Sequence, residues 1–152
     1  MCKLADNLIG SIDTKLNRNG YTHYSGIYKN GKIIFKGYNH LRNSYNNECI
    51  CWSTHAEMDV LYKLIKSFKI FSLIGKLTNI INLNDYIIVV VRFGKDGSLK
   101  NSRPCNQCLE TMIKYKIKKI LYSNENGDII TEKPENMEKI HISSGWNAFS
   151  QL

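Results

Sequence analysis

Six consecutive apolar residues, Tyr86-Ile87-Ile88-Val89-Val90-Val91, limit the possible fold more than any other stretch of the chain. β-Branched and aromatic side chains favour strands, and a strand that is apolar at every position has to be covered on both faces. An α/β domain provides this cover, because helices pack on both sides of its sheet. The run therefore predicts the central strand of a three-layer α/β domain.

Helical and strand patterns alternate around this central run. Apolar spacing predicts helices at residues 2–16, about 55–71 and 105–116, and strands at residues 21–28, 32–38, 86–91, 119–123 and 128–131. Lys29-Asn30-Gly31 predicts a tight hairpin turn, because Asn-Gly readily adopts positive backbone angles. Residues 39–53 are polar and show no period, which predicts a loop, and residues 134–139 are expected to form one helical turn. The length, 152 residues, favours a single domain covering residues 1–152.

Two short motifs, His55-Ala56-Glu57 and Pro104-Cys105-Asn106-Gln107-Cys108, contain side chains that suit a metal ion. Catalytic zinc usually has three protein ligands and leaves its fourth position open, and an imidazole with two thiolates is a suitable donor set. Both motifs lie at the predicted starts of helices, where the positive end of the helix dipole favours thiolate over thiol. We therefore predict one Zn²⁺ bound by His55, Cys105 and Cys108, with Glu57 as a free catalytic carboxylate.

The remaining cysteines leave a second arrangement open. The five cysteines are an odd number that fits metal binding better than a disulfide framework, and Cys49 and Cys51 could join Cys105 and Cys108 in an all-thiolate structural site. Only one residue separates Cys49 from Cys51, whereas structural zinc sites typically have two or more. Such a site would also leave His55 and Glu57 without a role.

The paired motif, His-x-Glu followed by Pro-Cys-x-x-Cys, resembles the cytidine and deoxycytidylate deaminase superfamily over residues 21–131. The resemblance implies a five-stranded mixed sheet with helices on both faces, zinc at His55, Cys105 and Cys108, and proton transfer by Glu57. Only residues 124–127 separate the last two strands, too few for a parallel crossover, so strands four and five are predicted to be antiparallel. This antiparallel direction resembles that of free-cytidine deaminases, although their Asn-x-Glu ribose clamp is absent after the second strand here.

The same resemblance suggests residues that contact the substrate. Gly37-Tyr38-Asn39 is similar to the family's Gly-x-Asn, which implies that Asn39 contacts the sugar or base. The resemblance also implies that the backbone N–H groups of Ala56 and Cys105 face an oxygen of the substrate. Flat bases stack on aromatic faces. The candidates for the pocket wall on this ground are Trp52, which precedes His55 by three residues, Arg92, Phe93 and Trp146.

Charge is the main evidence for a larger partner. The net charge of +8 would suit nucleic acid, but most of the basic residues are lysines in a chain rich in Lys, Asn and Ile. Lys63, Lys66 and Lys69 could bind phosphate, although a solvated helix face is the simpler explanation. His23, His40 and His141 are expected to be surface or hydrogen-bonded residues.

Three functions follow from the sequence. The first is a zinc hydrolase that deaminates a cytosine-containing nucleoside or nucleotide, the second a base deaminase acting on RNA or single-stranded DNA, and the third a zinc-stabilised binding protein without turnover. No segment approaches the apolar length that spans a bilayer, so we expect a cytoplasmic protein without a signal peptide or membrane contact. The resemblance also implies a homo-oligomer.

Overall fold

The computed structural model describes residues 2–12, 23–40, 44–46, 49–51, 54–74 and 81–141, and only the backbone of residues 44–46, 49–51 and 69–74. The helices are α1 (Lys3–Gly10), α2 (Ala56–Ile74) and α3 (Asn106–Lys114), with a short 3₁₀ helix at Pro134–Asn136. The strands are β1 (His23–Lys29), β2 (Lys32–Tyr38), β3 (Ser44–Asn46), β4 (Cys49–Cys51), β5 (Tyr86–Phe93), β6 (Leu99–Lys100), β7 (Lys119–Ser123) and β8 (Ile129–Glu132).

The main sheet has the order β2-β1-β5-β7-β8, and the two-residue strand β6 pairs with the end of β5. β5 lies at the centre and pairs antiparallel with β1 and parallel with β7. β7 and β8 are antiparallel. The predicted five-stranded mixed sheet with antiparallel fourth and fifth strands is therefore confirmed, with β6 added beside the end of β5.

Helices cover both faces of β5, as its continuous apolar sequence requires. Ile88 and Val90 pack with Leu61 of α2 and Leu109 of α3, whereas Val89 and Val91 pack with Leu8 of α1. All four β5 residues among these are fully buried. The three layers are therefore α1, the sheet, and α2 with α3, and β5 contacts the helices on both faces.

The predicted Asn-Gly hairpin is confirmed in detail. Lys29 pairs with Lys32 across the turn, and Asn30 and Gly31 have φ angles of 51° and 75°. Positive φ at both central residues is the conformation that suits the right-handed twist of paired strands. The turn fixes the register that brings the end of β2 beside the start of β1.

Two sequence predictions were wrong. The predicted loop at residues 39–53 contains the antiparallel pair β3 and β4, whose register joins Tyr45 to Ile50; strands of three residues are too short to show a period. The predicted helix at residues 2–16 ends at Gly10, because the N–H of Ser11 and the hydroxyl of Ser11 both bond to the carbonyl of Leu8 and tighten the last turn. Residues 13–16 lie outside the described part of the chain.

α2 approaches the end of β2 closely at Gly37. A β-carbon added at Gly37 would lie 2.8 Å from Oδ2 of Asp59, 2.8 Å from Cγ1 of Val60 and 3.0 Å from the carbonyl of Ala56. Glycine is therefore required by the space available, which allows the first turn of α2 to pack directly on the strand. Within the described ranges, no helix is both long and apolar enough to cross a membrane.

Candidate metal centre

His55, the residue before α2, and Glu57, in its first turn, lie beside the end of β2. Thr54 and His40 exchange backbone hydrogen bonds of 3.1 and 2.9 Å, which tie the chain before the helix to the end of β2. The hydroxyl of Ser25 in β1 donates to the carbonyl of Ala56. Hydrogen bonds from β1 and from the end of β2 therefore fix the start of α2.

The cysteine motif is held at the start of α3, as the sequence predicted. Cys105 is the residue before the helix, and Cys108 lies in its first turn. Ser102 holds the turn in place, because its hydroxyl donates to the carbonyl of Val90 and accepts from the N–H of Ser123, both at 2.9 Å. These bonds join the cysteine loop to the ends of β5 and β7.

The three predicted ligands converge. The Sγ atoms of Cys105 and Cys108 are 3.4 Å apart, and Nδ1 of His55 lies 3.5 Å from the first and 3.2 Å from the second. A tetrahedral Zn²⁺ with bonds of about 2.3 Å to sulfur and about 2.0 Å to nitrogen would place two sulfurs roughly 3.8 Å apart and sulfur and nitrogen roughly 3.5 Å apart. The observed separations therefore need only a slight opening to fit one ion.

Hydrogen bonding inside the cluster shifts the pKa of each ligand. The contact with Cys108 lowers the pKa of the Cys105 thiol to about 4, and the same contact, together with burial, raises the pKa of Cys108 well above its ordinary value. The hydrogen bond to Cys105 raises the pKa of His55 to about 9. The cluster without metal is thus a thiolate hydrogen-bonded to proton donors, and a cation can replace those protons.

Glu57 lies beside the ligands without being one of the three. Its side chain is 6% exposed, and Oε1 is 3.9 Å from Nδ1 of His55. Burial raises the pKa of Glu57, which means that this carboxyl holds a proton more readily than an exposed one. An acid that can take up and return a proton therefore stands next to the metal ligands.

A family model supports the same interpretation. Residues 25–124 match the model described as "Cytidine and deoxycytidylate deaminase zinc-binding region". The chain belongs to the cytidine and deoxycytidylate deaminase family. The match covers both motifs, and the donor set of this family member, His55 with Cys105 and Cys108, fits one Zn²⁺.

One solved deaminase structure shares the fold, and a second aligns less closely. The chain resembles a cytidine deaminase from Burkholderia pseudomallei with a TM-score of 0.50 and 18% identity, over 92% of this chain and 94% of that one. A dCMP deaminase from the cyanophage S-TIM5 aligns with a TM-score of 0.47 and 16% identity, over 99% and 93% of the two chains. A search of curated protein sequences gives no significant match.

The predicted substrate residues of this deaminase fall in different places. Asn39 lies at the end of β2, where its Oδ1 accepts from the N–H of His23 at 2.9 Å. Ala56 is buried in the first turn of α2, on the same edge of the sheet. Trp52 and Trp146 lie outside the described residues.

The other two candidates for the pocket wall differ from each other. Phe93 packs edge-on against Tyr24, with ring centroids 6.0 Å apart, in the cluster that α1 covers. It therefore lies on the opposite face of the sheet from the metal ligands. Arg92 is exposed at the end of β5 and pairs with His23 of β1.

Sequence reasoning missed the residues that support the ligands. His23, expected to be a surface or hydrogen-bonded residue, is half-buried and bonded to Asn39, and burial, Arg92 and His55 together lower its pKa to about 4. Ser102 and Ser123 have no distinguishing pattern in the sequence. The available signal was position alone, since Ser102 stands three residues before Cys105.

Proposed function

We propose that this protein is a zinc-dependent hydrolytic deaminase that converts a cytosine-containing nucleoside or nucleotide to the uracil form and releases ammonia. One observation supports the proposal above all: a buried carboxyl, Glu57, lies 3.9 Å from a ligand atom in a cluster of one imidazole and two sulfurs. A structural zinc site has no use for such a carboxyl, whereas hydrolysis of an aminopyrimidine requires a group that moves protons.

Bound Zn²⁺ supplies Lewis-acid chemistry, which makes water nucleophilic near neutral pH. In the proposed reaction Glu57 removes a proton from the attacking water and delivers it to the ring nitrogen. The same carboxyl then takes the proton of the new hydroxyl group and delivers it to the amine, so that the carbon–nitrogen bond breaks, a carbonyl forms and ammonia leaves. The burial that raises the pKa of Glu57 suits it to both directions of transfer.

We place substrate binding at the strand ends beside the metal ligands. The side-chain Oδ1 of Asn39 accepts a hydrogen bond from the N–H of His23, which holds Asn39 at the end of β2. We propose that Asn39 contacts the sugar or base, that the N–H of Ala56 faces the substrate oxygen, and that Trp52 forms part of the pocket wall. The assignment of these three rests on family resemblance together with the position of Asn39 and Ala56.

An ammonia-release assay tests the proposal directly. The purified zinc-loaded protein is assayed with cytidine, deoxycytidine, CMP, dCMP, blasticidin, guanine and a cytosine-containing oligonucleotide. We expect turnover of at least one cytosine monomer. Absence of turnover on every compound, with one zinc bound per chain, would instead support a binding protein without activity.

An oligonucleotide substrate is the second candidate, and the net charge of +8 supports it. Deamination of the oligonucleotide in preference to the monomers, with binding that weakens steeply as salt rises, would favour this alternative.

We also propose that the protein is a homo-oligomer, and light scattering on the same samples tests this.

The alternative zinc site is tested separately. Cys49→Ser and Cys51→Ser are expected to retain one zinc per chain, because the described ligand cluster contains His55, Cys105 and Cys108. Loss of zinc in either variant would favour the all-thiolate site.

A further inference from the structure

Arg103 makes an unusual set of contacts immediately before the Pro104–Cys105 turn. Its Nη1 donates to the hydroxyl of Tyr122 in β7 at 2.9 Å and to Oε2 of Glu132 in β8 at 3.4 Å. Its Nη2 donates to the carbonyl of Glu138 at 3.0 Å. One side chain therefore joins the start of the cysteine motif to two strands and to the segment that follows the 3₁₀ helix.

The partners of Arg103 are themselves connected. The hydroxyl of Tyr122 donates to Oε2 of Glu132 at 2.5 Å. The side chains of Arg103 and Glu132 are 19% and 33% exposed, so water screens this pair less than an ordinary surface ion pair. The guanidinium carbon of Arg103 lies 5.7 Å from the centroid of the Tyr122 ring, and this cation–π contact adds a further restraint.

The residue after Cys105 is attached to the same segment. The N–H of Asn106 donates to the carbonyl of His141 at 2.8 Å, and the N–H of His141 returns to Oδ1 of Asn106 at 3.2 Å. The segment from Glu138 to His141 is therefore bonded to the chain on both sides of Pro104 and Cys105. We call these four residues the strut.

A ligand turn held in this way is a physical requirement of the metal site. Cys105 has no side-chain hydrogen bond that caps α3, and the first helical N–H is satisfied by the strut. Outer-shell groups that orient metal ligands are important because a thiolate has to be held within a fraction of an ångström of its bonding position. Arginine suits the task, since its planar group offers several donors in fixed directions, whereas lysine presents a single point of charge.

We propose that Arg103 is a positioning residue for Cys105: by tying the Pro104–Cys105 turn to Tyr122, Glu132 and the strut, it sets the thiolate geometry at the metal. The proposal concerns metal binding and holds whichever base or nucleic acid is the substrate. It assigns to Arg103 no contact with the substrate or with the ion. Arg103 acts only through Cys105.

The test uses Arg103→Gln and Arg103→Lys in the full chain, titrated with Co²⁺ as a spectroscopic probe and with Zn²⁺ in competition with a chelator. We expect both variants to bind metal roughly 10- to 100-fold more weakly than the parent. The thiolate-to-Co²⁺ charge-transfer band is expected to shift or weaken, because it reports the geometry of the sulfur ligands. At saturating metal, kcat should fall while KM changes little, since no substrate contact is removed.

The matched control is Lys139→Gln. Lys139 lies in the strut and forms a surface ion pair with Glu110 at 3.0 Å, so the variant also removes one positive charge from this region. We expect its metal affinity and Co²⁺ spectrum to equal those of the parent. Equal values in Arg103→Gln as well would overturn the proposal.

Two further variants separate positioning from general stability. Glu132→Gln and Tyr122→Phe each remove one partner of Arg103 and leave the arginine in place. Intermediate losses of metal affinity, at temperatures well below unfolding, would support the proposal even if Arg103→Gln fails to fold. A change in thermal midpoint without any change in metal affinity or spectrum would reduce Arg103 to a stabilising residue and refute the proposal. Failure of the ammonia assay alone leaves these binding measurements intact.

Discussion

Oε1 of Glu57 lies 3.9 Å from Nδ1 of His55, and the carboxyl is almost completely buried beside the metal ligands. Replacing Glu57 with Gln keeps the size of the side chain but removes its ability to take up a proton. We expect turnover to fall by roughly 100- to 10,000-fold, the usual contribution of general acid–base catalysis. Steady-state kinetics with the best substrate from the ammonia assay gives the rate, and metal analysis should show one zinc per chain in the variant.

Glu110→Gln is the control for this substitution, because Glu110 is an exposed residue of α3 and its ion pair with Lys139 lies at the surface. Its activity should match that of the parent. Near-native activity of Glu57→Gln would contradict the assignment of Glu57 as the proton-transferring group.

Metal binding should release protons. Without metal at pH 7.5, the pKa of Cys105, about 4, makes it a thiolate, whereas the raised pKa of Cys108 and the pKa of His55, about 9, keep both protonated. Zinc requires a neutral imidazole and two thiolates, so we expect about two protons per chain to be released and the apparent affinity to weaken as pH falls. Calorimetry in buffers of different ionisation enthalpy measures the number. Zinc uptake without proton release would mean that the ligands differ from these three.

Gly37 is predicted to tolerate no larger side chain. Alanine at this position would place its β-carbon against the carbonyl of Ala56 and the side chains of Asp59 and Val60 in α2. Overpacking of this kind costs about 1–3 kcal/mol, and the displaced helix start would also weaken zinc binding through His55. Urea unfolding and zinc titration of Gly37→Ala measure the two effects.

Gly10→Ala is the matched control, since the described residues place no atom within 4 Å of the added β-carbon apart from its chain neighbours and its own helix backbone. Its stability should be unchanged or higher by at most about 1 kcal/mol, the helix preference of alanine over glycine. If both glycine variants were equally stable, the close approach of α2 to β2 would be wrong.

His23 should make stability depend on pH. Burial, Arg92 and His55 lower its folded-state pKa from 6.5 to about 4, so the unfolded chain binds more protons between these values. The free energy of unfolding contributed by His23 is therefore fully present above pH 6.5 and is lost as pH falls towards about 4. Urea unfolding of His23→Gln should show a flatter pH dependence than the parent in this window.

The comparison is made on the metal-free protein, in which His55 carries the charge that helps to lower the pKa of His23. His141→Gln serves as the control because His141 is exposed. Its pH dependence should equal that of the parent. If the free energy of unfolding had the same pH dependence between pH 6.5 and 4 in the parent and in His23→Gln, the pKa of His23 would not be lowered by folding.

The fold could be predicted where a local pattern has one structural solution. The apolar run in β5 requires cover on both faces, and Asn30-Gly31 requires a tight turn, so both were predicted correctly. β3 and β4 could not be predicted, since three-residue strands have no measurable period and are held by backbone hydrogen bonds. The early end of α1 depends on Ser11, whose hydroxyl competes for a helix carbonyl.

The metal ligands could also be predicted, because their residue types and spacing are specific to one kind of chemistry. Their supports could not. Ser102 with Ser123, and Arg103 with Glu132, are pairs of polar residues brought together only by the order of strands in the sheet. Such residues look like ordinary surface residues in the sequence until the topology is known.

Cys108 and His55 are 53 residues apart in the chain, yet their ligand atoms are 3.2 Å apart. An ion bound between them closes a loop of that length, as a disulfide would, and every closed loop of this size restricts the unfolded chain. The catalytic ion would then also act as a cross-link between α2 and α3. Chelation should consequently remove activity and lower the unfolding temperature in the same step.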